Sequence, residues 1–291
     1  MDGRCGRDAE RFGAPKAFDD PRVVRFRPRE RTTMDTQSKN EQWLAFADRL
    51  VAVAYLIFGE AKIDITEKLF GEPKILSLAL LCRTVGNFKG VIAMTKARQV
   101  VEARILTRSC YENLYVMGAL IEQGDSFVEA MHRDQIKSFR SQGEFLLDGI
   151  NPEHIGDADF VEQFRERVKQ MKARWPKAHF LNPKEAAKSS VLKSSHLIYS
   201  KLSGDAAHPS ILAMKRHLVR FMENREEVVG LDIHPPERGN EIAETLDLAC
   251  NAMVGACVAA NQIFGYLPAV NSNLQKAFVE YGELSGAERS A

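Results

Sequence analysis

The sequence predicts an all-α fold, a multi-helix bundle with one small β-hairpin at about residues 218–234. Apolar residues recur at three- and four-residue intervals over most of the chain, which is the pattern of amphipathic helices. Prolines and other turn residues separate these periodic segments. Only the segment Leu218–Ile233 is rich in β-branched residues without a helical period, and that composition is typical of strands.

The helices predicted up to residue 121 follow one another closely. The first carries a helical stripe over residues 43–58. A short helix is expected over residues 63–70, and Pro73 is expected to begin a helix that runs to about residue 96. The next helix covers residues 100–121, so three long helices are predicted here.

Longer breaks separate the helices predicted in the rest of the chain. Asp125 or Ser126 is expected to cap a helix that ends near Leu147. The remaining helices are expected, in order, over residues 157–175, 191–202, 209–219, 240–267 and, as a weaker prediction, 274–281.

The composition limits the classes of protein to be considered. The chain has 40 Lys and Arg against 39 Asp and Glu, so its net charge of +1 provides no basic field for nucleic acid. Binding to nucleic acid is therefore open but is not supported by the net charge. Five cysteines without a CxxC spacing are typical of reduced thiols in a cytoplasmic protein.

Two further features bear on localisation. The N-terminal sequence lacks the apolar segment of a signal peptide. The stretch 248–275 lacks charges, but its amide side chains and Pro268 favour a core helix over a membrane span. We therefore expect a soluble, cytoplasmic protein without a membrane span.

Residues 1–33 differ from the rest of the chain. Five arginines between residues 22 and 31 alternate with Val, Phe and Pro without a helical period. This segment is expected to be a disordered leader, with Met34 as a plausible start, and a nucleic-acid-binding arm is the alternative. Residues 34–285 are expected to form a single helical-bundle domain.

A charged pair interrupts the most apolar helix. Arg108 and Glu112 lie on a line of apolar residues, and a second line from Leu106 to Ile121 is also apolar. A helix that is apolar around so much of its circumference is normally buried, and buried charges persist only when paired or hydrogen-bonded. The i, i+4 spacing lets the two side chains meet. The sequence therefore predicts a polar cluster in the interior.

A second polar motif lies at residues 199–210, which read YSKLSGDAAHPS. Tyr199 and Ser203 share a helix face by their i, i+4 spacing. Gly204 suits a left-handed helix C-cap. His208 lies in the turn that follows, where its ring could face inward.

The two motifs together carry a family resemblance. An Arg-x-x-x-Glu helix followed by a Tyr-x-x-x-Ser…His-Pro-Ser turn resembles the bacterial domain-of-unknown-function family 5677, over about residues 76–267. The resemblance implies an all-helical fold and brings no established activity. It also implies that five side chains approach one another, namely Arg108, Glu112, Tyr199, Ser203 and His208.

Two interpretations of these five residues remain open. As a site, His208, Glu112 and Arg108 are the candidate catalytic residues, and Tyr199 and Ser203 are the candidate binding residues that donate hydrogen bonds. As a scaffold, the same residues form a hydrogen-bond network that fixes how the helices pack. Whether the chain is an enzyme stays open, and we expect a protein that binds a ligand or a partner.

A metal-independent ribonuclease in a toxin or defence context is the alternative function. Helical nucleases of the HEPN type are similar in being small α-bundles, and they use an Arg-x(4–6)-His motif. Arg174 and His179 fit this spacing, but Pro176 interrupts the helix that should present them. In this alternative His208 is the acid–base group and Arg108 contacts the phosphate.

Neither a metal nor a cofactor is expected. Di-iron bundles need Glu-x-x-His on two helices and two further carboxylates. Here Glu129 and His132 form one such half, whereas Asp205 and His208 lie in a turn and form an incomplete second half. No glycine motif for nucleotide binding is present.

The partners of the chain cannot be named from the sequence. The helix predicted over residues 240–267 carries small residues on one face. This face could form a homodimer interface, and burial inside the monomer is the simpler explanation. These residues are Ala252, Gly255, Ala256 and Ala259.

Overall fold

The computed structural model describes residues 34–64, 66–149, 158–188, 190–223, 226–232, 237 and 239–286. Its helices are α1 (Met34–Glu60), α2 (Pro73–Lys96), α3 (Val100–Gln123), α4 (Asp125–Gly149), α5 (Ala158–Arg174), α6 (Pro183–Lys188), α7 (His196–Leu202), α8 (Ile211–Met214), α9 (Glu241–Ile263) and α10 (Pro268–Ser285). Two strands, β1 (Leu218–Glu223) and β2 (Glu226–Leu231), form one antiparallel sheet. The predicted all-α bundle with a small hairpin is confirmed, while the predicted leader at residues 1–33 lies outside the described residues.

Helix α9 lies at the centre of the bundle, where it packs against α1, α2, α3 and α10. Leu246 and Met253 are fully buried there. A Cβ atom added at Gly255 would come within 3.0 Å of Leu114 on α3, so the two helices approach closely at this glycine. The small residues of α9, for which a homodimer interface was one explanation, therefore pack inside the bundle.

Buried polar side chains in α2 are satisfied within the bundle. The Thr84 hydroxyl donates to the Leu80 carbonyl (2.8 Å) and accepts from the Asn113 amide on α3 (3.2 Å). The Thr95 hydroxyl donates to the Val91 carbonyl (2.9 Å). These bonds offset the cost of removing the polar groups from water.

Among the described residues, three helical segments are long and apolar enough, by length and composition alone, to cross a membrane: Gln37–Glu60, Pro73–Lys96 and Glu241–Ile263. In the last of these, 67% of the most apolar window is buried inside the bundle. Burial among the other helices thus accounts for most of the apolar character of α9. The absence of a membrane span stays a prediction.

Helices α4 and α5 form a hairpin beside the bundle, in which α4 packs against α3 and α5 packs mainly against α4. The two helices meet at Gly143. A Cβ atom added there would lie 2.7 Å from Cγ2 of Val168 and 3.6 Å from Cζ of Phe164. Because only glycine leaves room for these side chains, this position sets how closely α4 and α5 pack.

The predicted element bounds are wrong at several places. In the described part of residues 63–70, the helical structure is a single 3-10 turn that begins at Leu69. The helix expected over residues 209–219 is the four-residue α8, followed by a 3-10 turn at Lys215–His217. The helix predicted over residues 240–267 ends at Ile263 because Gly265 and Tyr266 have φ angles of 80° and 64°, which a helix cannot continue through. The weaker helix predicted over residues 274–281 is the 18-residue α10.

A further difference concerns the end of α7. Gly204 was expected to stop this helix as a left-handed cap, but the chain continues as a π-helical turn over Ser203–Ala207. The hydroxyl of Ser210 donates to the Gly204 carbonyl and accepts from the Ala213 amide (3.0 Å), which caps α8. Single π-helical turns inside helical segments frequently occur at functional sites.

The hairpin pairs Leu218 with Leu231 and Arg220 with Val229. Residues two apart on a strand point to the same face, so Leu218, Leu231 and Val229 share one face of the sheet. All three are exposed. The connection at residues 224–225 lies outside the described residues.

Three buried cysteines lie in the core, Cys110 on α3 and Cys250 and Cys257 on α9. Burial raises the pKa of the Cys110 and Cys257 thiols to about 12 and also raises the pKa of Cys250. These thiols are therefore protonated near neutral pH. Cys82 on α2 is exposed.

Candidate functional site

Four of the five predicted site residues meet where α3 contacts α7 and the π-helical turn that follows it, and we call them the Arg108 cluster. The Arg108 guanidinium donates from Nε to the Ser203 hydroxyl and from one Nη to the Tyr199 hydroxyl, both at 2.6 Å. The Tyr199 hydroxyl donates to Glu112 Oε1 at 3.0 Å. The same Glu112 oxygen lies 3.1 Å from Arg108 Nη2, as the i, i+4 spacing predicted.

The Arg108 cluster lies at the edge of the interior. The Arg108 and Glu112 side chains are 19% and 29% exposed, so water reaches both charges. The Arg108 guanidinium also lies over the Tyr199 ring, 4.8 Å from its centroid. Burial and the nearby Glu112 charge raise the pKa of Tyr199, so its hydroxyl stays protonated and serves as a donor.

His208 stands apart from the other four predicted residues. Its backbone amide donates to the Ser203 carbonyl at 3.1 Å, but its side chain is exposed. Within the described part of the chain, the His208 ring makes no hydrogen bond or ion pair. Its role as an acid–base group stays a prediction.

A second cluster, the Asp205 cluster, consists of Arg104, Asp205, Arg216, Glu241 and Thr245. Arg216 binds the Asp205 carboxylate through Nε and Nη2, at 2.8 and 2.9 Å. It also binds Glu241 through Nη2 at 2.6 Å and Nη1 at 3.3 Å. Paired bonds of this kind are the strongest that arginine makes with carboxylates.

Arg104 completes the Asp205 cluster from α3. Its guanidinium donates to Asp205 and lies 3.4 Å from Glu241 Oε1. Its Nε donates to the Thr245 hydroxyl at 3.3 Å, and that hydroxyl donates to the Glu241 carbonyl at 2.6 Å. The Arg104 side chain is 8% exposed, so this cluster is more deeply buried than the Arg108 cluster.

The charges within the Asp205 cluster balance. Burial alone would raise the pKa of Asp205, but hydrogen bonds and positive charge from Arg216 and Arg104 outweigh it and lower the pKa. The two carboxylates raise the pKa of Arg216 against the opposing effect of burial. Two guanidinium groups thus face two carboxylates, Asp205 and Glu241.

The π-helical turn connects the two clusters. Ser203 belongs to the Arg108 cluster and Asp205 to the Asp205 cluster, while Arg104 and Arg108 are one turn apart on α3. Arg216 then ties the 3-10 turn before β1 to α9 through Glu241. The chain from α7 to the hairpin is therefore held to α3 and α9 by charged hydrogen bonds.

The sequence interpretation missed the Asp205 cluster. Arg104 lies one helical turn before Arg108, and that spacing was a signal for a further buried charge. Asp205 was considered only as half of a metal motif. Arg216 and Glu241 carry no local signal, because they are 25 residues apart and meet only in the folded chain.

The other predicted motifs lie elsewhere. Arg174 ends α5 and its guanidinium lies 5.9 Å from the Trp175 ring centroid, whereas the His179 ring contacts the Lys177 carbonyl at 3.1 Å. Glu129 is bound by Arg133 at 3.1 Å. Among the described residues, no group of three or more His, Cys, Asp or Glu is arranged to hold a metal.

Chemically, the two clusters are suited to holding structure together. The guanidinium groups are occupied by carboxylates and hydroxyls of the chain itself, and the phenol of Tyr199 is a protonated donor. Both carboxylates of the Asp205 cluster are bound by arginines, and this binding lowers the pKa of Asp205. The clusters and the fold define a helical bundle with an internal network of ion pairs.

Comparison with known proteins then gives the family. A family model described as a family of unknown function (DUF5677) matches residues 74–227, more than half of the chain. The chain therefore belongs to this family, and the resemblance inferred from the two motifs is confirmed. The match ends before the expected limit near residue 267. No curated protein and no solved structure matches the chain.

Proposed function

We propose that the chain is a cytoplasmic protein-binding module, and that its binding surface is carried by α8 and the hairpin. The partner is a protein that presents an apolar patch. The observation that carries the proposal is a group of exposed apolar side chains, the 211–231 surface. It consists of Ile211, Leu212, Met214, Leu218, Val229 and Leu231.

The exposure of these side chains supports a binding role. Ile211 is 77% exposed and Leu212 is 60% exposed, whereas Ala213 on the same helix is buried. Helix α8 therefore turns a small side chain inward and its large apolar side chains outward. Exposed apolar side chains gathered on one segment are typical of sites that bind other proteins. Three of the six side chains, Ile211, Leu212 and Met214, lie on α8, and the other three share one face of the hairpin.

The two polar clusters support the same proposal. They bind the chain on both sides of α8, through Ser203 and Asp205 before it and Arg216 after it. A surface held rigidly loses little conformational entropy on binding. The clusters therefore act as positioning residues for the 211–231 surface, which is the scaffold interpretation of the predicted site.

Photo-crosslinking in the cells that produce the protein tests the proposal. A photoreactive phenylalanine at Leu212 is expected to give a discrete covalent product with another protein. The same group at Phe278 on α10, which is 52% exposed, is the matched control and is expected to give none. Equal products at both positions, or none at Leu212, would overturn the proposal.

A second measurement separates binding from the ribonuclease alternative. The purified chain and a His208→Ala variant are incubated with labelled RNA. Intact RNA in both samples is expected for a binding module. Cleavage by the unmodified chain that is lost in His208→Ala would favour the ribonuclease instead, because His208 is its candidate acid–base group.

A further inference from the structure

The second half of α4 buries an arginine where helix packing normally places an apolar side chain. After Val128, the buried residues of α4 are Arg140 and Gly143. They are three residues apart and therefore share one face of the helix. Helix α5 packs on this face, because a Cβ atom added at Gly143 would lie 2.7 Å from Val168. Arg140 is 9% exposed, so its charge lies within the contact between α4 and α5.

Within the described part of the chain, the Arg140 guanidinium makes no hydrogen bond. Its Nε is buried and has no partner. Its one ionic contact there is with Glu144 Oε1, 3.7 Å from Nε, which is too long for a hydrogen bond. A guanidinium carries five N–H donors, and buried polar groups in native proteins are nearly always hydrogen-bonded. Arg140 therefore indicates a site for an acceptor that comes from outside the chain.

Lys172 on α5 lies across the helix contact from Arg140. Only residues 150–157 connect α4 to α5, so the two packed helices run antiparallel. Arg140 lies one turn before Gly143 on α4, and Lys172 lies one turn after Val168 on α5. Both are thus displaced in the same direction from the point at which the helices meet. Lys172 is exposed, so its ammonium can reach a ligand of Arg140 from the side of the solvent.

A second lysine lies on α4 itself. Lys137 is one turn before Arg140, and its Nζ lies 5.3 Å from the centroid of the Phe180 ring, in the loop after α5. The three basic side chains carry three positive charges, and Glu144 supplies one negative charge. The excess at this place is therefore two positive charges.

We propose that Arg140 anchors a binding site for a phosphate group of the monoester kind, with Lys137 and Lys172 at its entrance. A phosphate monoester carries about two negative charges near neutral pH, which matches the excess of positive charge. Its oxygens accept two parallel N–H bonds from one guanidinium, a geometry that lysine does not offer. This site is separate from the 211–231 surface.

Calorimetric titration of the full chain with inorganic phosphate, at constant ionic strength, is the first test. The unmodified chain is expected to bind one phosphate. Arg140→Met is expected to weaken binding at least tenfold, and Arg140→Lys is expected to weaken it too because the forked donors are lost. Arg49→Met is the control, because Arg49 is 56% exposed and paired with Glu280 on α10. No binding by the unmodified chain, or equal binding by Arg140→Met, would overturn the proposal.

Thermal melts distinguish a binding role of Arg140 from a structural one. Arg140→Met removes a buried charge that lacks hydrogen bonds, so without phosphate it is expected to melt at or above the temperature of the unmodified chain. Phosphate is expected to raise the melting temperature of the unmodified chain and to leave that of Arg140→Met unchanged. A lower melting temperature for Arg140→Met, with no effect of phosphate on either protein, would overturn the proposal.

Three further ligands identify the chemistry and its source. Glycerol phosphate is expected to bind at least as tightly as inorganic phosphate, and acetate at least tenfold more weakly. Vesicles that contain phosphatidic acid present the same group on a lipid. Capture by these vesicles that is lost in Arg140→Met would assign the phosphate to a lipid headgroup, and its absence would assign it to a soluble ligand. Acetate that binds as tightly as glycerol phosphate would overturn the assignment to phosphate.

Discussion

At the scale of single residues, the two clusters differ in how deeply their charged side chains are buried. Glu112 is 29% exposed and shares its pairing with a tyrosine hydroxyl, whereas Asp205 is 13% exposed and receives bonds from two arginines. A partly exposed ion pair contributes little because water screens it. Removing one partner of a buried pair is costly because the remaining charge is left without compensation.

We therefore predict different losses of stability from two neutralising substitutions. Asp205→Asn is expected to lower the free energy of unfolding by about 3–5 kcal/mol, because Arg104 and Arg216 lose a buried counter-charge. Glu112→Gln is expected to cost about 1 kcal/mol, because the amide oxygen can still accept from Tyr199. Urea denaturation measures both. Equal losses would contradict the assignment of Asp205 to the deeper cluster.

The pKa of Asp205 also predicts a pH dependence. The folded protein lowers this pKa below its unfolded value of about 3.9, so the stabilising effect is fully present above that pH. It is lost as the pH falls through the lower, folded pKa. The difference in unfolding free energy between the unmodified chain and Asp205→Asn is expected to be constant near neutral pH and to shrink in acid. A difference that grows on acidification would contradict it.

At the scale of elements, periodicity predicted most of the long helices well, but it predicted the 18-residue α10 and the short helices poorly. Helices α2, α3 and α4 begin and end close to the predicted residues because their apolar faces have a regular period. The segment from α7 to α8 departs from the prediction because partners distant in sequence hold it. Asp205 in the π-helical turn is bound there by Arg104 on α3. No local sequence pattern predicts a contact between these two segments.

The contact between α4 and α5 predicts a contrast between two glycines. Gly143→Ala is expected to lower the free energy of unfolding by about 1–3 kcal/mol, because the new methyl group would overlap Val168. Gly149→Ala, at a position with no neighbour within 4 Å, is the control and is expected to gain up to about 1 kcal/mol in helix propensity. Chemical denaturation of both variants gives the comparison. A similar gain at Gly143 would show that the helices do not pack closely there.

At the scale of the whole molecule, the family match and the bundle have different limits. Residues 74–227 contain α2 and α3 but leave out α1 and α9, which bury much of the apolar surface of those helices. The matched segment also lacks Glu241, a counter-charge of Arg104 and Arg216. The packed core therefore extends beyond the matched segment.

We predict that a fragment of residues 74–227 does not fold alone. It is expected to lack a cooperative thermal transition, because the core faces of α2 and α3 would be exposed to water. A fragment of residues 34–285 is expected to melt as the full chain does, in keeping with the single domain predicted from the sequence. Circular dichroism measures both transitions. A cooperative melt of the shorter fragment would contradict the central role of α9.

The five side chains of the predicted site show which contacts can be predicted from the sequence and which cannot. The spacing of Arg108 and Glu112 and of Tyr199 and Ser203 was sufficient to place each pair on a helix face. The contact between Arg108 and Ser203, which are 95 residues apart, was implied only by the family resemblance, and the exposed position of the His208 side chain was not predicted. Contacts between distant segments depend on the packing of the complete bundle, which no local pattern encodes.

The reaction rate of the buried thiols can report how often the folded bundle opens. An alkylating reagent reacts with thiolate, so native protein is expected to be modified quickly at Cys82 and very slowly at Cys110, Cys250 and Cys257. Because those three lie on α3 and α9, their labelling rate follows the separation of the two central helices. Mass spectrometry of peptides after timed labelling would read this rate without any introduced probe, and rapid labelling of Cys257 would show that the centre of the bundle opens readily.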